Sequence, residues 1–108
     1  MIRIMLFCTA GCSTSFLVQR IQSAMKTRGV AGEVSAKSES EFDKQIDKID
    51  VALLAPQARF MEKRLRQICM EKKKGFVLID PVVYGRMDGN ATLDLALKSL
   101  DPNAPPAA

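Results

Sequence analysis

The chain has 108 residues, 16 Lys and Arg against 12 Asp and Glu, three cysteines, one tyrosine, no tryptophan and no histidine. That length allows one folded unit with a real core and excludes two, and 47% hydrophobic with 26% charged residues excludes a globally disordered chain. The net charge of +4 rests largely on Lys72, Lys73 and Lys74 at the end of a predicted helix, where cations complement the dipole, so a nucleic-acid surface is not expected.

Ile2–Phe7 is an apolar run that predicts a first buried strand. It lacks the layout of a signal peptide, and no apolar stretch is long enough to cross a bilayer, so a cytoplasmic protein without direct membrane insertion is expected. A helix follows from Ser13 to about Arg28, where Leu17, Ile21, Ala24 and Met25 recur on one face and Gly29 marks the end. Glu33–Lys37, resting on Val34, is a weaker second strand. Ser40–Lys48 is polar, with Phe42 and Ile46 four residues apart, and reads as a short helix or an ordered loop. Asp50–Leu54 predicts the third strand. From about Ala58 to Lys73 the positions Met61, Leu65, Ile68 and Cys69 predict a second long helix. Phe76–Ile79 is the fourth strand, Asp88-Gly89 a turn, and Ala91–Leu100 a last helix with Leu93, Ala96, Leu97 and Leu100 on its stripe. Residues 1–100 therefore form the expected folded unit, and 101–108, rich in Pro and Ala, a disordered tail.

Strand and helix alternate, and short continuous apolar runs suit strands covered on both faces. The expected fold is an open four-stranded parallel α/β sheet with helices on both faces. In such sheets ligands bind beyond the carboxyl ends of the strands. The segment after Phe7, Ala55-Pro56-Gln57 and the stretch after Ile79 should meet there.

Cys8 stands where the first strand ends, followed by Thr9, Ala10, Gly11, Cys12, Ser13, Thr14 and Ser15. A loop of small and hydroxylated residues opening a helix points backbone N–H groups inward, and the helix N-terminus adds positive potential. The field that binds an anion also favours thiolate over thiol. Gly11 permits close backbone approach, and the hydroxyls add donors and a helix cap. The expected chemistry is phosphoryl transfer with Cys8 as nucleophile and Thr9–Ser15 as the phosphate cradle. The bland reading is that Cys8 is a small buried residue at a strand end, but this loop is a poor core filler. Gln57 and Tyr84 are secondary candidates, against a helix-start turn and ordinary packing. Asp80 is expected to shape the loop near the site, and Cys69 belongs to a helix stripe and reads as core.

Cysteine-dependent phosphatases carry an Arg six positions after the thiol to clamp phosphate. Here that position is Thr14, and no acid other than Asp80 or Asp88 suggests itself. A loop that holds phosphate but hydrolyses it poorly suits a carrier. Three cysteines at these spacings and no histidine offer neither a disulfide framework nor a zinc site; no metal or cofactor is expected.

Three blocks in order, Phe7 to Ser15, Leu53-Leu54-Ala55-Pro56-Gln57, and Asp80-Pro81-Val82-Val83-Tyr84-Gly85-Arg86-Met87-Asp88-Gly89, resemble the enzyme IIB component of the bacterial sugar phosphotransferase system, lactose/cellobiose/chitobiose type. The resemblance spans about Ile2 to Leu100. It implies that Cys8 takes a phosphoryl group from a phosphohistidine of the IIA protein and passes it to a sugar, of the β-linked disaccharide class, held by the membrane permease IIC. Association with the membrane would then run through IIC. Cys12 departs from the family pattern, where a non-thiol is expected. It reads either as a small residue near the helix start or as the partner of Cys8 in a disulfide that blocks phosphorylation. The competing readings are a low-molecular-weight cysteine phosphatase, a thiol-redox protein using Cys8 and Cys12, and a non-catalytic binding module.

Overall fold

The structure is a computed structural model that describes residues 1–9 and 14–100. The segment Ala10–Ser13, with Gly11 and Cys12, and the tail from residue 101 lie outside the described residues. The strands are β1 (Ile2–Cys8), β2 (Gly32–Ser38), β3 (Val51–Leu54) and β4 (Gly75–Leu78). They form one parallel sheet in the order β2-β1-β3-β4. Each predicted strand is present, with ends within about two residues of expectation. The longer helices are α1 (Thr14–Thr27), α3 (Glu62–Glu71) and α5 (Gly89–Ser99), with short α2 (Phe42–Gln45) and α4 (Pro81–Gly85).

Because side chains alternate along a strand, each strand feeds two cores. Ile4, Leu6 and Cys8 of β1 join Val34, Leu53, Val77 and Ile79 in a cluster sealed by Leu17 and Ile21 of α1 and Leu93 and Ala96 of α5. Met5 and Phe7 join Ala52, Leu54 and Phe76 in a second cluster on the opposite face, sealed by Phe42 and Ile46 near α2 and by Leu65 and Cys69 of α3. Phe7 and Phe42 meet edge-to-face at 5.1 Å and 67°, an arrangement worth about 1 kcal/mol beyond the area it buries. Helices thus cover both faces, as the continuous apolar strands require.

The polar stretch after β2 folds as consecutive turns: a 3₁₀ turn Glu39–Glu41, then α2, then a 3₁₀ turn Ile46–Lys48. Phe42 and Ile46 are the side chains it buries. Asp50 stays outside β3, and its carboxylate accepts a 2.8 Å bond from the Arg3 backbone N–H. The second long helix is split. Pro56–Met61 is 3₁₀, with Ala58 off helical geometry at φ −106° and ψ 19°, before α3 begins. Lys72 closes α3 and hydrogen-bonds Asp47 at 2.8 Å, which holds the Asp47 carboxyl below its ordinary range. Lys73 takes a left-handed φ of 58° to turn the chain into β4. Gly75 opens β4 against Ser99 and Leu100, so the end of α5 lies beside the start of that strand.

Cys69 is fully buried on the second face. Burial pushes its thiol up from 9.0 to about 12, against the opposing influence of Arg66 and Lys74. The folded chain keeps this proton where an open chain loses it, so Cys69 contributes stability that is full below pH 9.0 and lost as pH rises toward about 12. Iodoacetamide is expected to leave Cys69 unmodified in native protein near neutral pH. Peptide mapping checks this, and ready alkylation of Cys69 without unfolding would contradict the burial.

Candidate functional site

The sheet order creates the crevice. The chain leaves β1 through α1 on one face, reaches the edge strand β2, then returns through α2 on the other face to β3, which lies on the opposite side of β1. At the carboxyl ends of β1 and β3 the connections diverge, and such a switch point leaves an opening above the sheet. Phe7 pairs with Leu54 across this junction, and the Ala55 N–H donates to the Phe7 carbonyl at 2.9 Å. The Ile79 N–H donates to the Leu54 carbonyl at 2.9 Å, bringing the β4 exit to the same end. The segments after β3 and β4 thus reach the end of β1 where Cys8 and Thr9 stand, while Ala10–Ser13 of the first segment lie outside the described residues.

Cys8 is the last residue of β1, in register with Ser38, and 6% exposed. Its side chain joins the cluster of α1 and α5, which also holds Leu17, Ile79 and Tyr84. Thr9 follows, half-buried. Thr14 is the first residue of α1, and Ser15 the second, exposed. Ala10, Gly11, Cys12 and Ser13 lie outside the described residues, and with them the Cys8–Cys12 pair. Helix α1 runs 14 residues from the end of this loop, long enough for its N-terminal dipole to favour an anion there.

The secondary candidates separate. Tyr84 is 7% exposed and shares the Cys8 cluster. Gln57 is exposed on the 3₁₀ segment that follows β3, on the rim and not beneath it. Both acids near the site are occupied by structure. Asp80 caps α4, its carboxylate accepting from the Val82 N–H at 2.7 Å, and Asp88 caps α5, accepting from the Ala91 N–H at 3.0 Å. Neither predicted role for them as loop and turn residues changes. As caps they are tied to backbone donors and are poor candidates for protonating a leaving group.

Sequence reasoning missed three exposed apolar side chains. Phe16 near the start of α1 is 60% exposed, Phe60 after β3 is 72% exposed, and Val82 at the start of α4 is 58% exposed. Each follows the carboxyl end of a strand that meets the crevice. The available signal was that Phe16 and Phe60 fall off the buried stripes of their segments.

Cys69 sits on the far side of the sheet from Cys8, in a different core, so the two thiols cannot meet in the folded chain. Among the described residues no group of His, Cys, Asp and Glu gathers to hold a metal ion, and no helix is long and apolar enough to cross a membrane.

Comparison with known proteins agrees with this frame. The family model described as the lactose/cellobiose-specific IIB subunit of the PTS system matches residues 3–95. The oligo-beta-mannoside-specific EIIB component of Bacillus subtilis is 29% identical over 95 residues, covering 88% of this chain and 92% of the relative. The cellobiose-specific EIIB component of Lactococcus lactis subsp. lactis is 35% identical over 98 residues, covering 86% and 91%. A solution structure of the cellobiose-specific phosphotransferase IIB component from Borrelia burgdorferi superposes with a TM-score of 0.77 at 38% identity, covering 95% of this chain and 94% of that one. The lactose-specific IIB domain from Streptococcus pneumoniae shares the fold with a TM-score of 0.81 at 14% identity, covering 91% and 96%. With the thiol at the switch point, the parallel sheet and a family match across most of its length, the chain belongs to the lactose/cellobiose-specific IIB subunits of the sugar phosphotransferase system and is a phosphotransferase.

Proposed function

We propose that Cys8 is the phosphoryl-carrying residue of this IIB subunit. The observation that carries the reading is its position: the last residue of an inner strand, at the switch point, ahead of the N-terminus of α1. The Cys8 thiolate attacks the phosphorus of a phosphohistidine on the IIA protein. The P–N bond breaks, the imidazole keeps the electron pair, and a P–S bond forms. In the second transfer a hydroxyl of the sugar held by IIC attacks phosphorus. The P–S bond breaks, the thiolate is regenerated, and the hydroxyl proton passes to a base on the IIC side. Both transfers depend on positioning and charge stabilisation. Thr9–Ser15 form the cradle, Tyr84 supports Cys8 from below, and Gln57 borders the rim. Residues 1–100 act as one carrier unit in the cytoplasm. The sugar is a β-linked disaccharide such as cellobiose, chitobiose or lactose, consistent with the cellobiose and β-mannoside specificities named for its relatives.

The hydrolase alternative fares worse. Thr14 stands where the phosphatase clamp needs Arg, and the two acids serve as helix caps. Incubation with phosphorylated IIA tests the reading: a base-stable, iodine-sensitive phosphate mapped to Cys8 is expected. Rapid release of free phosphate, without accumulation on the protein, would point to the hydrolase instead.

Phe16, Phe60 and Val82 form the apolar part of the surface that IIA and IIC meet in turn. Phe60→Ala is expected to raise the KM for phosphorylated IIA about threefold to tenfold while leaving kcat near its original value, as for an interface anchor remote from the reacting atoms. Steady-state transfer at varied IIA checks this. A lowered kcat with unchanged KM would place Phe60 in the chemistry and not the docking.

A further inference from the structure

On the flank of the Cys8 face, α1 and the turn joining α4 to α5 enclose a cleft of about 380 Å³. Its walls include Arg20, Ser23 and Thr27 on one face of α1, Arg86 at the turn, and Gly89 and Asn90 at the start of α5. That volume falls within the size range of small-molecule sites. The walls are held in place. Gly89 lies directly against the Arg20 backbone, and the turn between the helices is fixed by Met87 at a left-handed φ of 51° and by the Asp88 N–H donating to the Val83 carbonyl at 3.2 Å.

The charges are the informative part. Arg3, Arg28, Arg64 and Arg66 each hold a carboxylate. Among the described residues Arg20, Arg59 and Arg86 have no acidic partner, and two of these three, Arg20 and Arg86, line this cleft. Asp88 also borders it, but its carboxylate is bonded to the Ala91 N–H. The lining therefore keeps a net positive charge, reinforced by the N-terminal end of α5. Two guanidinium forks suit the oxygens of a phosphate, which they bind bidentately. The hydroxyls of Ser23 and Thr27 and the amide of Asn90 supply the donors and acceptors that a polyol needs.

We propose that this cleft is a second ligand site, distinct from the Cys8 loop, that binds a phosphorylated sugar by placing its phosphate between Arg20 and Arg86. The inference rests on the cleft and its arginines and stands whether or not Cys8 is the phosphoryl carrier.

Two-dimensional amide NMR of the full chain tests it, with hexose 6-phosphate, inorganic phosphate and free hexose as probes. Saturable shifts centred on Ser23, Thr27 and Asn90 are expected with hexose 6-phosphate. Inorganic phosphate should saturate the same signals several-fold more weakly, and free hexose should leave them unmoved. The double variant Arg20→Ala/Arg86→Ala should weaken the sugar phosphate at least about tenfold, the loss expected for bidentate charge-assisted bonds. Both side chains are exposed, and an unchanged melting curve would verify that the fold is intact. Three results overturn the proposal: shifts confined to residues around Cys8, binding that survives the double variant, and equal affinity for inorganic phosphate and the sugar ester.

Discussion

Cys8→Ser is expected to abolish sugar-dependent phosphoryl relay, lowering the rate at least about 10⁴-fold, as loss of a nucleophile does in other covalent enzymes. The replacement differs by one atom at a 6% exposed position, so the fold should survive, and circular dichroism can confirm it. What changes is the nucleophile. A serine hydroxyl stays protonated near neutral pH, and this chain has no histidine to take its proton. Any phosphoserine formed would be a poor donor, because an alkoxide is a worse leaving group than a thiolate. Transfer from phosphorylated IIA and onward to sugar should therefore fail together. Relay by Cys8→Ser at even a tenth of the native rate would assign the carrier role to another residue.

Gly89→Ala is expected to destabilise the protein by about 2 kcal/mol, within the usual range for overpacking a tight contact. The added Cβ would stand inside van der Waals distance of the Arg20 carbonyl carbon and oxygen, and 2.8 Å from the Ile21 backbone nitrogen. Backbone atoms in the middle of α1 cannot rotate away as a flexible side-chain tip can. Alanine's better helix propensity offsets at most about 1 kcal/mol, less at a first-turn position. The melting temperature should fall by roughly 10 °C, from the entropy of unfolding typical of a chain this size. A variant that melts at or above the native temperature would show that α5 can shift away from α1 at no cost. Such a shift would also loosen the wall of the Arg20–Arg86 cleft.

The sheet was readable because it depends on apolar runs. Ile2–Phe7 and Val51–Leu54 are nearly continuous in hydrophobic character, and strands buried on both faces leave that trace. Breaks within helical patterns were harder to see. Leu65 and Cys69 kept the stripe of α3 in view, but the irregular geometry at Ala58 left no periodic mark, because Ala58 is itself buried and fits the pattern. Helix α4 was missed for a different reason. Five residues cannot display a repeat, and the usable signal was local: Asp80 as cap with Pro81 at the first helical position. At the site, the place of Cys8 at the end of the first strand was legible from order along the chain. The pairing of Tyr84 with the Cys8 core, the exposure of Gln57 after β3 and the exposure of Phe16, Phe60 and Val82 were not, because each depends on which elements are neighbours. The order β2-β1-β3-β4 decides that, and no local feature encodes it.

The start of β1 and the close of α5 beside Gly75 both lie at the end of the sheet remote from Cys8. A second protein module fused before residue 1 or after residue 100 would hang clear of the Cys8 end of the sheet. Tethering a partner there would raise its local concentration and leave the Cys8 end free for the transfers proposed above.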